Sequence, residues 1–141
     1  MKNTVFILLT CCTIIACNKS TTEVQNEGLT GKWQLTEYFI SPGDGGAWHT
    51  AGNDIIHTIE FRKDGSFTCS DSSYRSAIAY QQVDSMRINF LLPTQIPSYT
   101  EYYFKLEDNN QTLILSYTGC IEGCSNKYKA VKLTESKPAS Y

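Results

Sequence analysis

Residues 29–40, with the sequence LTGKWQLTEYFI, are predicted to form the first strand of a closed all-β domain. Gly31 lets the backbone turn tightly, and Trp33 then places a large indole in the core. Alternation along the strand puts Trp33, Leu35 and Phe39 on one face, because successive side chains of a strand point to opposite sides. Glu37 falls on that same face, so it is a polar candidate for the interior.

The rest of the chain shows the same strand patterning, separated by turn residues. Further strands are predicted at Ile55–Arg62, at Phe67 to Cys69, and at Tyr74–Val83, Met86–Leu92, Glu101–Leu106, Thr112–Tyr117 and Lys127–Leu133. Residues 41–54 hold four glycines and a proline and are predicted to be a long loop. Eight sequential strands favour an all-β, up-and-down antiparallel barrel, since closure removes both sheet edges.

The N-terminus is predicted to be a processed export signal. An apolar run from Val5 to Ile15 follows Lys2, and it is too short to span a bilayer. The tetrapeptide at 14–17, Ile-Ile-Ala-Cys, resembles the bacterial lipobox, which implies a signal peptide at 1–16 and a lipidated Cys17. The alternative is ordinary secretion with Cys17 as a thiol. If Cys17 is lipidated, residues 17–28 carry the lipid and tether the domain. The domain is predicted at 29–134, followed by a tail at 135–141.

Charge and size restrict the mature protein to a few classes. Removing residues 1–16 leaves 125 residues with eleven basic and fourteen acidic side chains, because only Lys2 among the charged residues is lost. A chain of this length forms one domain with a modest core. The slight acidic excess, with no basic cluster, predicts that nucleic acid is not a partner.

The cysteines predict a disulfide rather than a metal site. Cys120 and Cys124 are four residues apart in a protein predicted to reach an oxidising compartment, so a small bridged turn is expected. The rival is a bridge from Cys69 to one of these two. A zinc site is disfavoured because the nearest histidine in the sequence is His57 and there is no second cysteine pair. No metal and no cofactor are therefore predicted.

Three segments together are similar to the lipocalin-like lipoproteins of Gram-negative bacteria. They are Gly31-Lys32-Trp33, the hairpin at 59–67 and the segment Cys120 to Cys124 followed by Tyr128-Lys129. The resemblance covers residues 29–133 and implies an eight-stranded barrel that is open at one end, with Trp33 at the closed end. It also implies a basic residue lying over Trp33, for which Lys127, Lys129 and Lys132 are the candidates. The expected C-terminal helix is missing, and the strands are short, which indicates a shallow cup.

Four residues are predicted to form a ligand site: Glu37, Trp48, His57 and Tyr102. Glu37 and His57 fall on the inner faces of adjacent predicted strands, either as polar groups of a binding cup or as a buried pair that bonds to itself. Trp48 lies in the glycine-rich loop, either as a plug over the barrel mouth or as a ligand contact. Tyr102 belongs to a set of strand tyrosines that includes Tyr74 and Tyr117, whose hydroxyls could reach a ligand.

No catalytic residues are predicted, because the two histidines, His49 and His57, have no serine nucleophile motif near them. The expected function is that of a lipid-anchored lipoprotein of the outer membrane, facing the periplasm or the cell surface. Its partners would be the membrane, through the N-terminal lipid (palmitate), and a small hydrophobic ligand. The alternative is a non-enzymatic module with a filled barrel that contacts an envelope protein partner.

Overall fold

The computed structural model of the protein describes residues 27–41, 45–52, 54–70, 74, 76–94 and 98–131. Within these ranges the chain forms nine strands: β1 Gly31–Ile40, β2 Ala47–Thr50, β3 Thr58–Phe61, β4 Phe67–Cys69, β5 Ala79–Gln82, β6 Arg87–Leu91, β7 Tyr99–Glu107, β8 Thr112–Tyr117 and β9 Ser125–Ala130. The predicted signal peptide at 1–16, Cys17 and the tail at 135–141 lie outside the described residues.

Eight of the strands form a nearly closed antiparallel barrel. Their order in the sheet is β4-β3-β1-β9-β8-β7-β6-β5, and β2 pairs separately with β1. Apart from β2, strands that follow one another in sequence are neighbours in the barrel, and the last strand, β9, pairs with the first, β1. The two end strands, β4 and β5, approach through a bridge between Ser66 and Ala79, where the Phe67 amide donates to the Ile78 carbonyl at 3.1 Å. The predicted all-β, eight-stranded up-and-down barrel is confirmed.

Strand β1 holds the barrel together because it pairs with three others. Its first half, Gly31–Gln34, pairs with β3, its second half, Glu37–Ile40, pairs with β2, and β9 runs along its other side. The register with β9 shifts between Leu35 and Glu37. A β-bulge of this kind adds one unpaired residue and reverses the alternation beyond it. The face assignment made from strict alternation therefore holds for Trp33 and Leu35 and fails afterwards.

The strand β2 corrects the prediction that residues 41–54 form only a loop. Ala47 to Thr50 pair with Ile40 to Glu37 as the second arm of a hairpin. All four residues of β2 are exposed, so the strand has no buried face. A strand without an apolar side gives no alternation signal, and the glycines around it dominate the pattern.

The closed end of the barrel contains the predicted tryptophan. Trp33 is fully buried, and its Nε1 donates to the Leu29 carbonyl at 2.9 Å. The predicted basic cover was not found among the described residues: Lys129 bonds to Asp108 and Thr112, Lys127 lies over a different tryptophan, and Lys132 is not described. Apolar packing therefore fills the space around Trp33, with Ile59, Phe61, Leu113 and Tyr128 in the same buried cluster.

The hairpin between β3 and β4 forms where the sequence predicts it. Gly65 takes a φ of 83°, a conformation that favours glycine, and its amide donates to the Arg62 carbonyl at 3.0 Å. The Asp64 carboxylate accepts hydrogen bonds from the amide and the hydroxyl of Ser66. The Phe61–Phe67 pair across the hairpin then points inward, with ring centroids 5.1 Å apart.

Candidate functional site: a pocket at the barrel mouth

A pocket of about 570 Å³ opens at the end of the barrel opposite Trp33. The ends of β1, β7, β8 and β9 and the segments before β3 and after β2 line it. Its lining residues are Leu35, Tyr38, Phe39, Ile40, Ala51, Gly52, His57, Tyr74, Tyr102, Leu115, Tyr117, Cys124, Ser125 and Asn126. Its volume is in the range of sites that bind small molecules. The arrangement suits binding by burial, with polar groups at a few positions.

Tyr102 is a predicted site residue that the structure places in the pocket. It lies on β7, where it pairs with Tyr117 of β8, and the two ring centroids are 5.2 Å apart. Its ring also contacts Tyr74 at 5.4 Å and Phe90 at 5.2 Å. Tyr74 and Tyr102 line a second, smaller pocket of about 190 Å³ as well. The two rings thus line both spaces.

His57 also lines the pocket, and its backbone position fixes it there. The Leu35 amide donates to the His57 carbonyl at 2.9 Å, which extends the β1–β3 pairing by one residue. Because Ile59 and Phe61 are buried, alternation directs His57 inward as predicted. Its Nδ1 is shielded from solvent and has no hydrogen-bond partner within the described ranges. A shielded polar atom of this kind is costly unless something else bonds to it.

Glu37 is not among the pocket-lining residues and bonds to Lys127 instead of His57, so neither alternative given for Glu37 holds. The bulge sets Glu37 opposite Lys127, which lies on the outer face because its neighbour Tyr128 is buried in the core. The Lys127 ammonium forms an ion pair with the Glu37 carboxylate. Tyr38 takes the inward position instead and lines the pocket.

Trp48 lies on the outer face as well and is neither a plug nor part of the pocket lining. It pairs with Phe39 across the β1–β2 hairpin, with ring centroids 5.4 Å apart, and remains 40% exposed. The Lys127 Nζ lies 4.2 Å from the centre of its ring, a cation–π contact. From the segment predicted as a loop at 41–54, Ala51 and Gly52 line the pocket.

The predicted disulfide between Cys120 and Cys124 is present and closes the turn between β8 and β9. Cys124 contributes to the pocket wall, and Gly123 allows the Phe39 ring to approach the turn. Cys69 lies on β4 and is not part of this bridge. The bridge therefore stiffens one rim of the pocket.

Tyr38 and Asn126 are two of the lining residues that the sequence analysis does not assign to the site. Tyr38 was assigned to the outer face because the bulge is not visible in a single strand. Asn126 was left outside the last predicted strand, which begins two residues earlier than expected, at Ser125. The Asn126 amide donates to the hydroxyls of Tyr74 and Tyr128 at 3.3 and 3.4 Å. Its alternation with buried Tyr128 is the signal that could have placed it inside.

The described part of the chain holds no group of three or more histidine, cysteine or acidic side chains arranged to bind a metal ion. It also contains no helix that is long and apolar enough to cross a membrane. A comparison of the chain with protein-family models found no match, and a comparison with curated protein sequences found none.

Proposed function

We propose that the protein is a lipid-anchored envelope lipoprotein whose barrel binds a small hydrophobic ligand at its mouth. The observation that carries this proposal is the pocket of about 570 Å³, which the aromatic core leaves open at one end of the barrel. Aliphatic and aromatic residues make up most of its lining, with an imidazole and an amide among them. Binding sites for small apolar molecules have this composition.

The proposed location rests on the sequence of the N-terminus and on one feature of the fold. The signal at 1–16 and the lipobox cysteine, Cys17, predict export and acylation, and the outer membrane is the proposed destination. The Cys120–Cys124 bridge supports an oxidising compartment, since structural disulfides are rare in the bacterial cytosol. The domain would face the periplasm or the cell surface.

A neutral fluorescent probe, N-phenyl-1-naphthylamine, tests the binding function. We expect saturable binding to the folded domain, because the probe can bury both rings in the pocket. The blocking variant is Gly52→Trp: Gly52 lines the pocket, and nothing lies within 4 Å of the position its Cβ would take. A new indole there should occupy the mouth and weaken probe binding at least tenfold.

The matched control is Ser85→Trp, which adds the same side chain at an exposed turn between β5 and β6, away from the pocket. It should bind the probe like the wild type. A folded wild-type domain that fails to bind the probe saturably would refute the binding function. Equal binding by Gly52→Trp and the wild type would place the probe elsewhere and remove the pocket from the proposal.

The second candidate is a non-enzymatic interaction module, and one observation favours it. Large apolar side chains are exposed near the pocket: Ile55 and Ile56 are 67% and 64% exposed, and Ile121 on the disulfide turn is fully exposed. Apolar groups clustered at one end are typical of surfaces that contact a partner. In this case the envelope partner would cover the mouth, and the probe experiment would fail on the isolated domain.

A further inference from the structure

Aromatic side chains fill the barrel beneath the pocket. Phe61, Phe67 and Phe90 form a continuous buried cluster with Trp33 and Tyr128. Ring centroids within this cluster lie 4.8 to 6.0 Å apart, from Phe67 to Phe90 and from Phe61 to Phe90. Packed rings leave no axial channel for a long flexible chain. A compact ligand with rings therefore fits this space better than an extended acyl chain.

The walls of the pocket are suited to contacts with a flat ring. Tyr38, Tyr74, Tyr102 and Tyr117 all line it, and Tyr102 lies at the centre of this group. Aromatic pairs at centroid separations of 4.5 to 7 Å are favourable beyond the area that they bury. A ligand ring in this pocket could make several such contacts at once.

The polar groups of the pocket select against charge. None of the lining residues is an aspartate, glutamate, lysine or arginine. An ionised ligand group would lose its hydration there without a compensating partner, which is costly. His57 instead places an imidazole, which can form hydrogen bonds, among the lining residues.

We propose that the pocket binds an uncharged aromatic molecule that carries a hydroxyl group, and that this hydroxyl bonds to the imidazole of His57. A hydroxyl can both donate and accept a hydrogen bond, so it can bond to an imidazole nitrogen whether or not that nitrogen carries a hydrogen. The ring of the ligand lies among the tyrosines. This inference rests on the binding function proposed above and adds the chemical class of the ligand.

Four probes that compete with N-phenyl-1-naphthylamine test the ligand class. 2-Naphthol, naphthalene and 2-naphthoate share one ring system and differ in a hydroxyl, a hydrogen and a carboxylate, while decanoate supplies a flexible acyl chain. We expect 2-naphthol to displace the fluorescent probe at roughly tenfold lower concentration than naphthalene, since it forms one additional hydrogen bond to a buried group. 2-Naphthoate and decanoate should be weaker competitors than 2-naphthol.

Variants of His57 test the anchor. In His57→Phe, naphthalene should still compete, but the preference for 2-naphthol should disappear. His57→Gln retains an amide that can hydrogen-bond and should recover part of the preference. The matched control is His49→Phe: this histidine is not among the lining residues, and a phenyl ring keeps its stacking on Tyr38, so the preference should match the wild type.

The results separate this inference from the binding function on which it rests. Equal competition by 2-naphthol and naphthalene in the wild type, or an unchanged preference in His57→Phe, would overturn the assigned ligand class while leaving a binding barrel. Decanoate as the strongest competitor would overturn it in favour of an acyl ligand. A folded wild-type domain that does not bind the fluorescent probe at all would instead overturn the binding function itself.

Discussion

At the scale of single residues, Tyr102 contributes to both the stability of the barrel and the shape of its pocket. Its ring touches Tyr74, Phe90 and Tyr117, yet Tyr102 also lines two pockets. A side chain in this position loses packing energy when it is truncated, but less than one enclosed on all sides. Stability and binding can therefore be measured on the same variant.

We expect Tyr102→Ala to lower the free energy of unfolding by about 2 to 4 kcal/mol, at or below the usual range for removing a buried aromatic ring. Urea unfolding measures this. Tyr103→Ala is the matched control, because Tyr103 is adjacent to Tyr102 in sequence and is 52% exposed. Its truncation should change the free energy of unfolding by less than about 0.5 kcal/mol. A similar small effect at Tyr102 would mean that its ring contacts contribute little, and a loss above about 5 kcal/mol would contradict the partly open pocket.

The bulge at Thr36 shows why the sequence predicts the inward or outward face of some residues and not of others. The faces of Trp33, Leu35 and His57 follow from local alternation, which one strand reveals by itself. The positions of Glu37 and Tyr38 depend on the extra residue against β9, and that depends on cross-strand pairing. The ion pair between Glu37 and Lys127 and the ring of Trp48 above it are consequences of the same shift.

At the scale of elements, three hairpin turns each contain an aspartate whose carboxylate accepts hydrogen bonds from nearby groups. Hydrogen bonds from the Ser66 hydroxyl and amide lower the pKa of Asp64 from its ordinary value of 3.8. The Met86 amide and the Arg87 side chain do the same for the pKa of Asp84. For Asp108, the Thr112 hydroxyl lowers the pKa first and Lys129 second. The β3–β4, β5–β6 and β7–β8 turns thus each favour an ionised carboxylate.

These turns predict that the domain loses stability in acid. A carboxylate whose pKa is lower in the folded state stabilises the fold fully above its unfolded value, near 3.8, and loses this contribution as the pH falls through the lower folded value. We expect the melting temperature to fall as the pH drops below about 4. All three carboxylates are accessible to solvent, so each effect should be small.

The variant that checks this is Asp84→Asn, which should melt lower than the wild type at pH 6 and approach it as the pH falls below about 3. Asp54→Asn alters an exposed carboxylate outside these turns and should not reproduce that convergence. A wild-type melting temperature that stays constant from pH 6 to pH 2 would contradict the assignment. So would a difference for Asp84→Asn that is independent of pH.

The elements also show which parts of the fold were accessible from sequence. Eight strands were predicted because each carries an apolar face and ends at turn residues such as Asp64-Gly65 or Asp84-Ser85. The short strand β2 was not, since all four of its residues are exposed and its pairing with β1 alone defines it. The pocket itself was expected from the resemblance to open-ended barrels, whereas its lining at Tyr38 and Asn126 required the register.

At the scale of the whole molecule, the path of the chain determines how an anchored barrel would face the membrane. The described chain begins at the closed end, where the Glu27 carboxylate lies 2.9 Å from the Lys63 ammonium in the β3–β4 turn. Cys17 precedes Glu27 by ten residues, which span at most about 33 to 36 Å when fully extended. The ten residues of β1 alone extend about 30 Å from the closed end towards the mouth.

The tether would have to be almost fully extended to bring the mouth around to the bilayer, so an acylated protein should present its closed end to the membrane and its pocket to the aqueous side. Trp48, which lies near the mouth, reports this orientation in vesicles that contain brominated lipids. We expect the lipids to quench the wild type and Trp48→Phe equally, because bromine atoms reach only tryptophans close to the bilayer. Cys17→Ala, which has no site for the acyl chain, should remain in the supernatant and show no quenching.

Two results would contradict this arrangement, each at a different step. Excess quenching in the wild type that disappears in Trp48→Phe would place the mouth on the bilayer, with the exposed side chains of Ile55, Ile56 and Ile121 as its contacts. Sedimentation of Cys17→Ala with membranes at the wild-type level would show that the acyl chain is not the anchor. A pocket that faces away from the bilayer would exchange its ligand with the aqueous phase, which agrees with the small hydroxyl-bearing ligand inferred from His57.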